Sequence, residues 1–489
     1  MPVLVKILQL IMALSLLVIV HEFGHFIAAR IFKTRVEKFY MFFNSGFSLV
    51  RFKKVNGKWR FKFFSKNVPE KYITHVRENP VTHKKEETYE PIDLTILPKD
   101  DWRTEEEHTE FGIGWIPLGG YCKIAGMIDE SMDVGQMSQE PQPWEFRSKP
   151  AWQRLIVMIG GVCMNVILAF IIYIGLLSSY GEQYLPTSEV NKYGITVDSL
   201  AYDLGLRDGD KILSVDGDYI ENFQQIPMEI LLDNTKTMEV ERDGEKVRIA
   251  LPDNVVEKII RHQKSFISAR MPFVIEKFAD KSPAKDAGMQ EGDKIIAIND
   301  ISTPFYQDFV LNIKLFPNEA VNIAVVRDND TLDYKVRLAE DCTIGVYPKP
   351  MLELKTQKYT FWQSVPRGFS KTGREISDYW KQLKLIFNPS TKAYESLGGF
   401  IAIGNVFPGT FDWYAFWRMT AFISIILAVM NILPIPALDG GHVLFLLYEI
   451  VTRRKPSDKF MEIAQYVGLF IILALVIYAN GNDIVKLFR

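Results

Sequence analysis

His21-Glu22-Phe23-Gly24-His25 stands inside an apolar run that extends from Val3 to Phe32. Two histidines four residues apart share one face of a helix, so both imidazoles can hold one zinc ion. The glutamate between them can reach a water in the open coordination position and take its proton. As a bare pattern HExxH arises often by chance. A carboxylate and two imidazoles at membrane depth are costly, however, and ionisable residues in that setting are functional by default. The alternative, a satisfied polar cluster at a helix end, has to meet that cost with no function to offset it. The same run decides the fold class, because its length is that of a helix crossing a bilayer.

Three more runs match it: Leu155 to Ser179, Ala415 to Leu433 and Ala464 to Tyr478. The 489 residues are 48% hydrophobic yet 24% charged, the balance of apolar spans separated by water-exposed domains. The first run is too long and lacks the basic start of a signal peptide. Lys33, Arg35 and Lys38 follow it, Arg147, Lys149 and Arg154 flank the second, and Arg453, Arg454 and Lys455 lie between the third and fourth. By the positive-inside rule these flanks are cytoplasmic, which puts Gly181 to about Phe411 outside; Lys486 and Arg489 weigh slightly the other way. A net charge of -2 with no basic stripe argues against nucleic-acid binding. Cys122, Cys163 and Cys342 fall in three different compartments, so neither a disulfide framework nor a cysteine zinc site is expected.

The external region repeats itself. The stretch Ala201 to Gly217, with Gly205-Leu206, Gly209-Asp210 and Ile212, returns as Ala284 to Asp300, with Gly288-Met289, Gly292-Asp293 and Ile295. A period of that length means two tandem domains rather than a solenoid. Each copy reads as a short helix, a Gly-Asp turn, a strand and a second turn at Asp216-Gly217 or Asn299-Asp300. The pattern resembles the circularly permuted PDZ domains of bacterial envelope proteases, which implies a groove for an extended peptide or a carboxyl terminus. Either copy could instead be a spacer.

Asn431-Ile432-Leu433-Pro434-Ile435-Pro436-Ala437-Leu438-Asp439-Gly440-Gly441-His442 closes the third span. Its prolines break the helix and free backbone groups that must be satisfied inside protein. Asp439 then lies at the depth of His21 and His25 if the spans run antiparallel, and His, His and Asp make a catalytic zinc set with one open position. His442 is a rival ligand, ranked lower because a helix starting after Gly441 turns it away.

HEFGH, Gly161-Val162-Cys163-Met164-Asn165, two PDZ-like copies and N-x-x-P-x-P-x-L-D-G-G, in this order along essentially the whole chain, resemble the bacterial site-2 protease family, of the type that regulates sigma-E by cutting anti-sigma factors and clears remnant signal peptides. The resemblance implies Zn2+ held by His21, His25 and Asp439, with Glu22 as the base, and Asn431 holding the unwound substrate backbone. Gly114 to Lys123, including Gly119, Gly120 and Tyr121, resembles the family's membrane-associated β-hairpin, whose edge strand pairs with substrate. Asn165 would hydrogen-bond across the site. The hairpin and Asn165 also admit a plain packing role. Val162 stands where the family usually has proline, and Leu397 to Ile401 replaces its Ser-Gly-Pro-Ile stretch; neither touches a metal ligand.

The expected architecture is a multi-pass α-helical membrane protein with four transmembrane helices and α+β external domains. Its segments are 1–32 with HExxH, a cytoplasmic loop 33–150 holding a charged insertion (about 67–110) and the β-hairpin (about 112–125), a second span 151–180, PDZ domains 181–258 and 259–350, an amphipathic membrane-surface region 351–411, and spans 412–452 and 453–489. The insertion, with Lys84, Lys85, Glu86, Glu87, Glu105, Glu106, Glu107 and the scattered His75, His83 and His108, reads as a solvated loop, with no ligand spacing for a second metal. Phe361 to Leu385 reads as an amphipathic helix on the outer leaflet. The expected activity is intramembrane zinc proteolysis of single-span proteins already trimmed outside, in the bacterial inner membrane, with the site near the cytoplasmic face; membrane lipid and peptide or carboxyl-terminal ligands at the PDZ grooves are the further partners. The competing readings are a catalytically inactive PDZ-bearing scaffold or escort, a prenyl-protein type HExxH protease, and a pure envelope scaffold. Intact Glu22 and Asp439 count against the first, and the tandem repeat with LDGG against the second. The third explains the repeat alone.

Overall fold

Among the described residues, four helices are long and apolar enough to cross a membrane: Pro2–Ile31, Ala151–Ser179, Trp413–Ile432 and Lys459–Lys486. They belong to a computed structural model that describes residues 2–67, 72–78, 85–98, 101–105, 107–117, 119–127, 140–262 and 264–488. Two units divide the chain: Met1–Tyr180, Tyr359–Trp380 and Leu397–Arg489 form the first, Gly181–Lys358 and Lys381–Ser396 the second.

In the first unit the first two spans cross at glycine. A Cβ on Gly24 would lie 2.2 Å from the Gly160 carbonyl oxygen, so only hydrogen allows the backbones to meet there. The third span ends at Ile432, and helix resumes at Asp439–Thr452. The break falls on the two prolines, as their chemistry requires. Helix begins at Asp439 itself, three residues before the start expected from Gly441, because Leu433–Leu438 makes the turn alone.

Between the first two spans lies a five-stranded sheet. Its strands are β1 (Val36–Met41), β2 (Phe47–Val55), β3 (Lys58–Lys66), β6 (Glu110–Ile113) and β7 (Tyr121–Ile124), while β4 (Tyr72–Glu78) pairs with β5 (Lys85–Pro91) in a sheet of their own. The spatial order is β3-β2-β6-β1-β7. The expected hairpin at 112–125 is therefore corrected: β6 and β7 do not pair with each other. β1 separates them, parallel to β6 and antiparallel to β7, so the segment between crosses over β1 and leaves β7 as an end strand. The expectation of a plain solvated loop at 67–110 is corrected too. β4 and β5 form an antiparallel hairpin, and Trp102 is buried beneath the Arg51 guanidinium. His83, Lys84, Glu106 and Leu118 lie outside the described residues. One cluster, from Ala28, Ala29, Val36, Ile124, Phe146, Val157, Met158, Val443 and Leu446, ties the sheet to the helix ends.

The second unit contains the sequence repeat as two modules with separate cores, one around Leu206, Ile212, Ile226 and Val240, the other around Ile295, Phe309, Val321 and Val325. The first module carries β8 (Lys211–Val215), β9 (Thr237–Arg242) and β10 (Glu245–Ala250); the second carries β11 (Lys294–Ile298), β12 (Ala320–Arg327) and β13 (Asp330–Arg337) in the same antiparallel order. The repeated Gly-Asp has a structural reason. Buried Asp210 takes a two-pronged hydrogen bond from Arg242 at 2.7 Å on each oxygen and also caps the Arg207 N–H. Asp293 does the same with Arg327, at 2.6 and 2.7 Å, and with the Gln290 N–H. Each carboxylate also raises its arginine's pKa above the ordinary value.

Candidate active site

His21 and His25 lie one helical turn apart on the first span, with their Nε2 atoms 3.2 Å from each other. The break at Leu433–Leu438 delivers Asp439 to the same point: its Oδ2 is 3.1 Å from His21 Nε2 and 3.3 Å from His25 Nε2. The three atoms form a candidate metal-ligand group. Bonds of about 2.1 Å in a tetrahedron hold zinc ligands about 3.4 Å apart, which is the spacing found. Two further observations bear on the fit. Oδ2 of Asp439 is buried without a hydrogen-bond partner, an arrangement that costs free energy unless a cation faces it. The Nδ1–H of His25 donates to the Val157 carbonyl oxygen at 2.8 Å, which leaves Nε2 with its lone pair bare. These residues fit a zinc ion.

The second span serves this pair from one face. Val157, Gly161 and Asn165 follow each other at intervals of four, the spacing of a helix face. Val157 holds His25. A Cβ on Gly161 would lie 2.4 Å from His25 Nε2 and 2.8 Å from His21 Nε2, so the site needs glycine there. Asn165, fully buried, has its Nδ2 3.3 Å from His21 Nδ1. Ser424 of the third span donates to the Asn165 backbone carbonyl at 2.8 Å.

Glu22 lines the same cleft of about 760 Å³, together with Asn431, Gly119, Gly120 and Tyr121. The backbone of Cys122, in β7, hydrogen-bonds the Glu22 carboxylate. β7 thus lies beside the candidate base, and its residues Tyr121 to Ile124 line the cleft. Tyr121 is fixed by a hydrogen bond to Asn44 at 2.9 Å and by stacking on Tyr40. Asn431 sits with its Nδ2 3.4 Å from His21 Nε2. All nine residues expected at the site from the sequence therefore border one cavity or its immediate wall. His442, ranked low as a ligand, also lines it, as do Gln465 of the fourth span and Asn44 after β1. The carbonyl of Val157 and the backbone of Cys122 carry no side-chain signature, and sequence reasoning missed both.

The chain resembles known proteins over most of its length. The model of peptidase family M50 matches residues 9–65 and 95–475. The regulator of sigma E protease of Haemophilus influenzae is 28% identical over 500 residues, covering 98% of each chain. Protease RseP of Yersinia pestis is 25% identical over 524 residues, covering 100% of each. A Rickettsia conorii relative whose name includes the words zinc metalloprotease is 24% identical over 493 residues, covering 99% of each.

Proposed function

The chain belongs to peptidase family M50, as a zinc metalloprotease of the site-2 type in a membrane, and from that premise we propose that it cuts the membrane-spanning segments of single-span proteins. The observation that carries this reading is the convergence of His21, His25 and Asp439 with Glu22, in a cleft lined by β7.

A helical substrate hides its carbonyls behind its own hydrogen bonds and must unwind to be cut. An unwound strand presents a row of N–H and C=O groups, and β7, an end strand of its sheet in the lining of the cleft, is the element such a strand would pair with. Gly119 and Gly120 line the cleft next to β7, where a Cβ would meet the Phe43 ring at 2.8 Å or the Tyr40 carbonyl oxygen at 2.6 Å, and the Asn431 amide supplies a side-chain donor and acceptor to the same strand. His21, His25 and Asp439 would hold zinc, which when bound supplies Lewis-acid polarisation of the scissile carbonyl. Glu22 takes the proton of the attacking water and returns it to the leaving amine.

The wider reading follows the charge asymmetry of the flanks. Arg453, Arg454 and Lys455 put the zinc end of the spans at the cytoplasmic face of a bacterial inner membrane, with the two repeated modules outside. Those modules are PDZ domains that take extended peptides or carboxyl termini and pass only substrates shortened by an earlier cut. Anti-sigma factors and remnant signal peptides are the substrate classes this describes. The experiment is cleavage of a transmembrane reporter by the purified chain and by Glu22→Gln. Wild type should cut and the variant should not, while both retain zinc. Equal cutting by the two would sink the assignment of Glu22.

A further inference from the structure

Of the two imidazoles, one has its outer nitrogen accounted for and the other does not. His25 Nδ1–H donates to a backbone carbonyl, which can only accept, so its tautomer is fixed. His21 Nδ1 faces the side-chain amide of Asn165, which can do either. With the amide nitrogen toward Nδ1, at 3.3 Å, Nδ1 must accept and Nε2 must carry the proton. That proton would sit where the lone pair of a metal ligand has to point, toward Asp439 Oδ2. The same orientation leaves the buried Oδ1 of Asn165 without a donor. Turning the amide over exchanges two atoms of nearly equal size and resolves both faults: Oδ1 gains the Nδ1–H, and Nε2 is freed.

We propose that Asn165 is the positioning residue of His21, accepting Nδ1–H on its side-chain oxygen and so fixing the tautomer that binds metal. This rests on the reading of His21 as a zinc ligand. The second span then treats its two clients alike. Val157 supplies a carbonyl to His25, Asn165 supplies one to His21, and Gly161 between them leaves room for both rings. Backbone cannot serve at Asn165 as it does at Val157, because the Asn165 carbonyl is already taken by Ser424. Zero exposure at Asn165 makes the group costly to bury for packing alone.

The test compares full-length wild type with Asn165→Leu and Asn165→Asp, each purified in detergent and titrated with a zinc chelator. A carboxylate only accepts, so Asn165→Asp should hold zinc within about threefold of wild type. Asn165→Leu should hold it about 10–100-fold more weakly, the usual effect of removing such a partner. The proposal fails if Asn165→Asp loses zinc as Asn165→Leu does, since the amide would then be acting as donor, or if Asn165→Leu retains wild-type affinity. Should Asn165→Leu not fold, Asn165→Asp alone decides, because retention supports the accepting role and loss opposes it. The underlying ligand reading fails separately, if wild type holds no zinc or if His21→Ala holds as much.

Discussion

Side chains with their own chemistry were legible one by one: His21, Glu22, His25 and Asp439 each announce what they can do, and the spacing of the first three puts them together. Gly161 is the opposite case. Its side chain does nothing, and its meaning is the absence of a Cβ against two imidazoles. Gly161→Ala should therefore weaken zinc retention at least about tenfold while leaving the helices intact, an effect on the scale of losing a supporting contact of the metal site. Gly175, on the same helix, has nothing within 4 Å of a built Cβ, so Gly175→Ala is the matched control and should change neither zinc content nor cleavage. Metal analysis after dialysis reads both. The Val157 carbonyl and the Cys122 backbone could not have been named from residue types, since every residue carries those groups.

Among elements, the helices were legible because an apolar run of bridging length has few other uses, whereas the sheet was not. Its plainest local signal is Asn56-Gly57 between Phe47–Val55 and Lys58–Lys66: both residues have positive φ and make the tight turn that joins β2 to β3 with Val55 opposite Lys58. Reading 112–125 as a hairpin failed for a different reason. Proximity in sequence favours pairing of β6 with β7, but β1, far earlier in the chain, takes the place between them. The break after Ile432 poses its own mechanical question, since the helix that bears Asp439 is cut off from its span. Arg154, in the first turn of the second span, reaches Glu449 near the end of that helix at 2.5 Å, with both largely buried. Breaking a buried pair strands a charge and costs about 3 kcal/mol. Arg154→Met and Glu449→Gln should each lower thermal stability by about that much and speed zinc loss, and the double variant should lose clearly less than the two together. Additive losses would mean that the pair does not couple the two helices.

At the scale of the whole molecule, the seventeen-residue repeat announces two modules but not the partner of each repeated aspartate. Arg242 and Arg327 stand outside the repeated stretch, and only the strands β9 and β12 bring them back to Asp210 and Asp293. The two modules bury their own apolar clusters, and the helices of the first unit bury theirs. Cores that share no residues need not melt together. Asp210→Asn leaves Arg242 facing a neutral amide and removes one prong of a charged hydrogen bond, which should cost the first module about 2 kcal/mol. Damage should stay local. The variant should become sensitive to limited proteolysis within 181–258 at a temperature where wild type resists, while its zinc content is unchanged and a short, pre-trimmed reporter is still cut at the wild-type rate. Asp293→Asn should move the sensitive sites to 259–350 and leave the first module intact. Loss of zinc on either substitution would show that the units do not stand apart in stability. Normal cutting of the trimmed reporter, joined to new cutting of an untrimmed one, would in turn make the modules the filter that decides which membrane proteins reach Glu22.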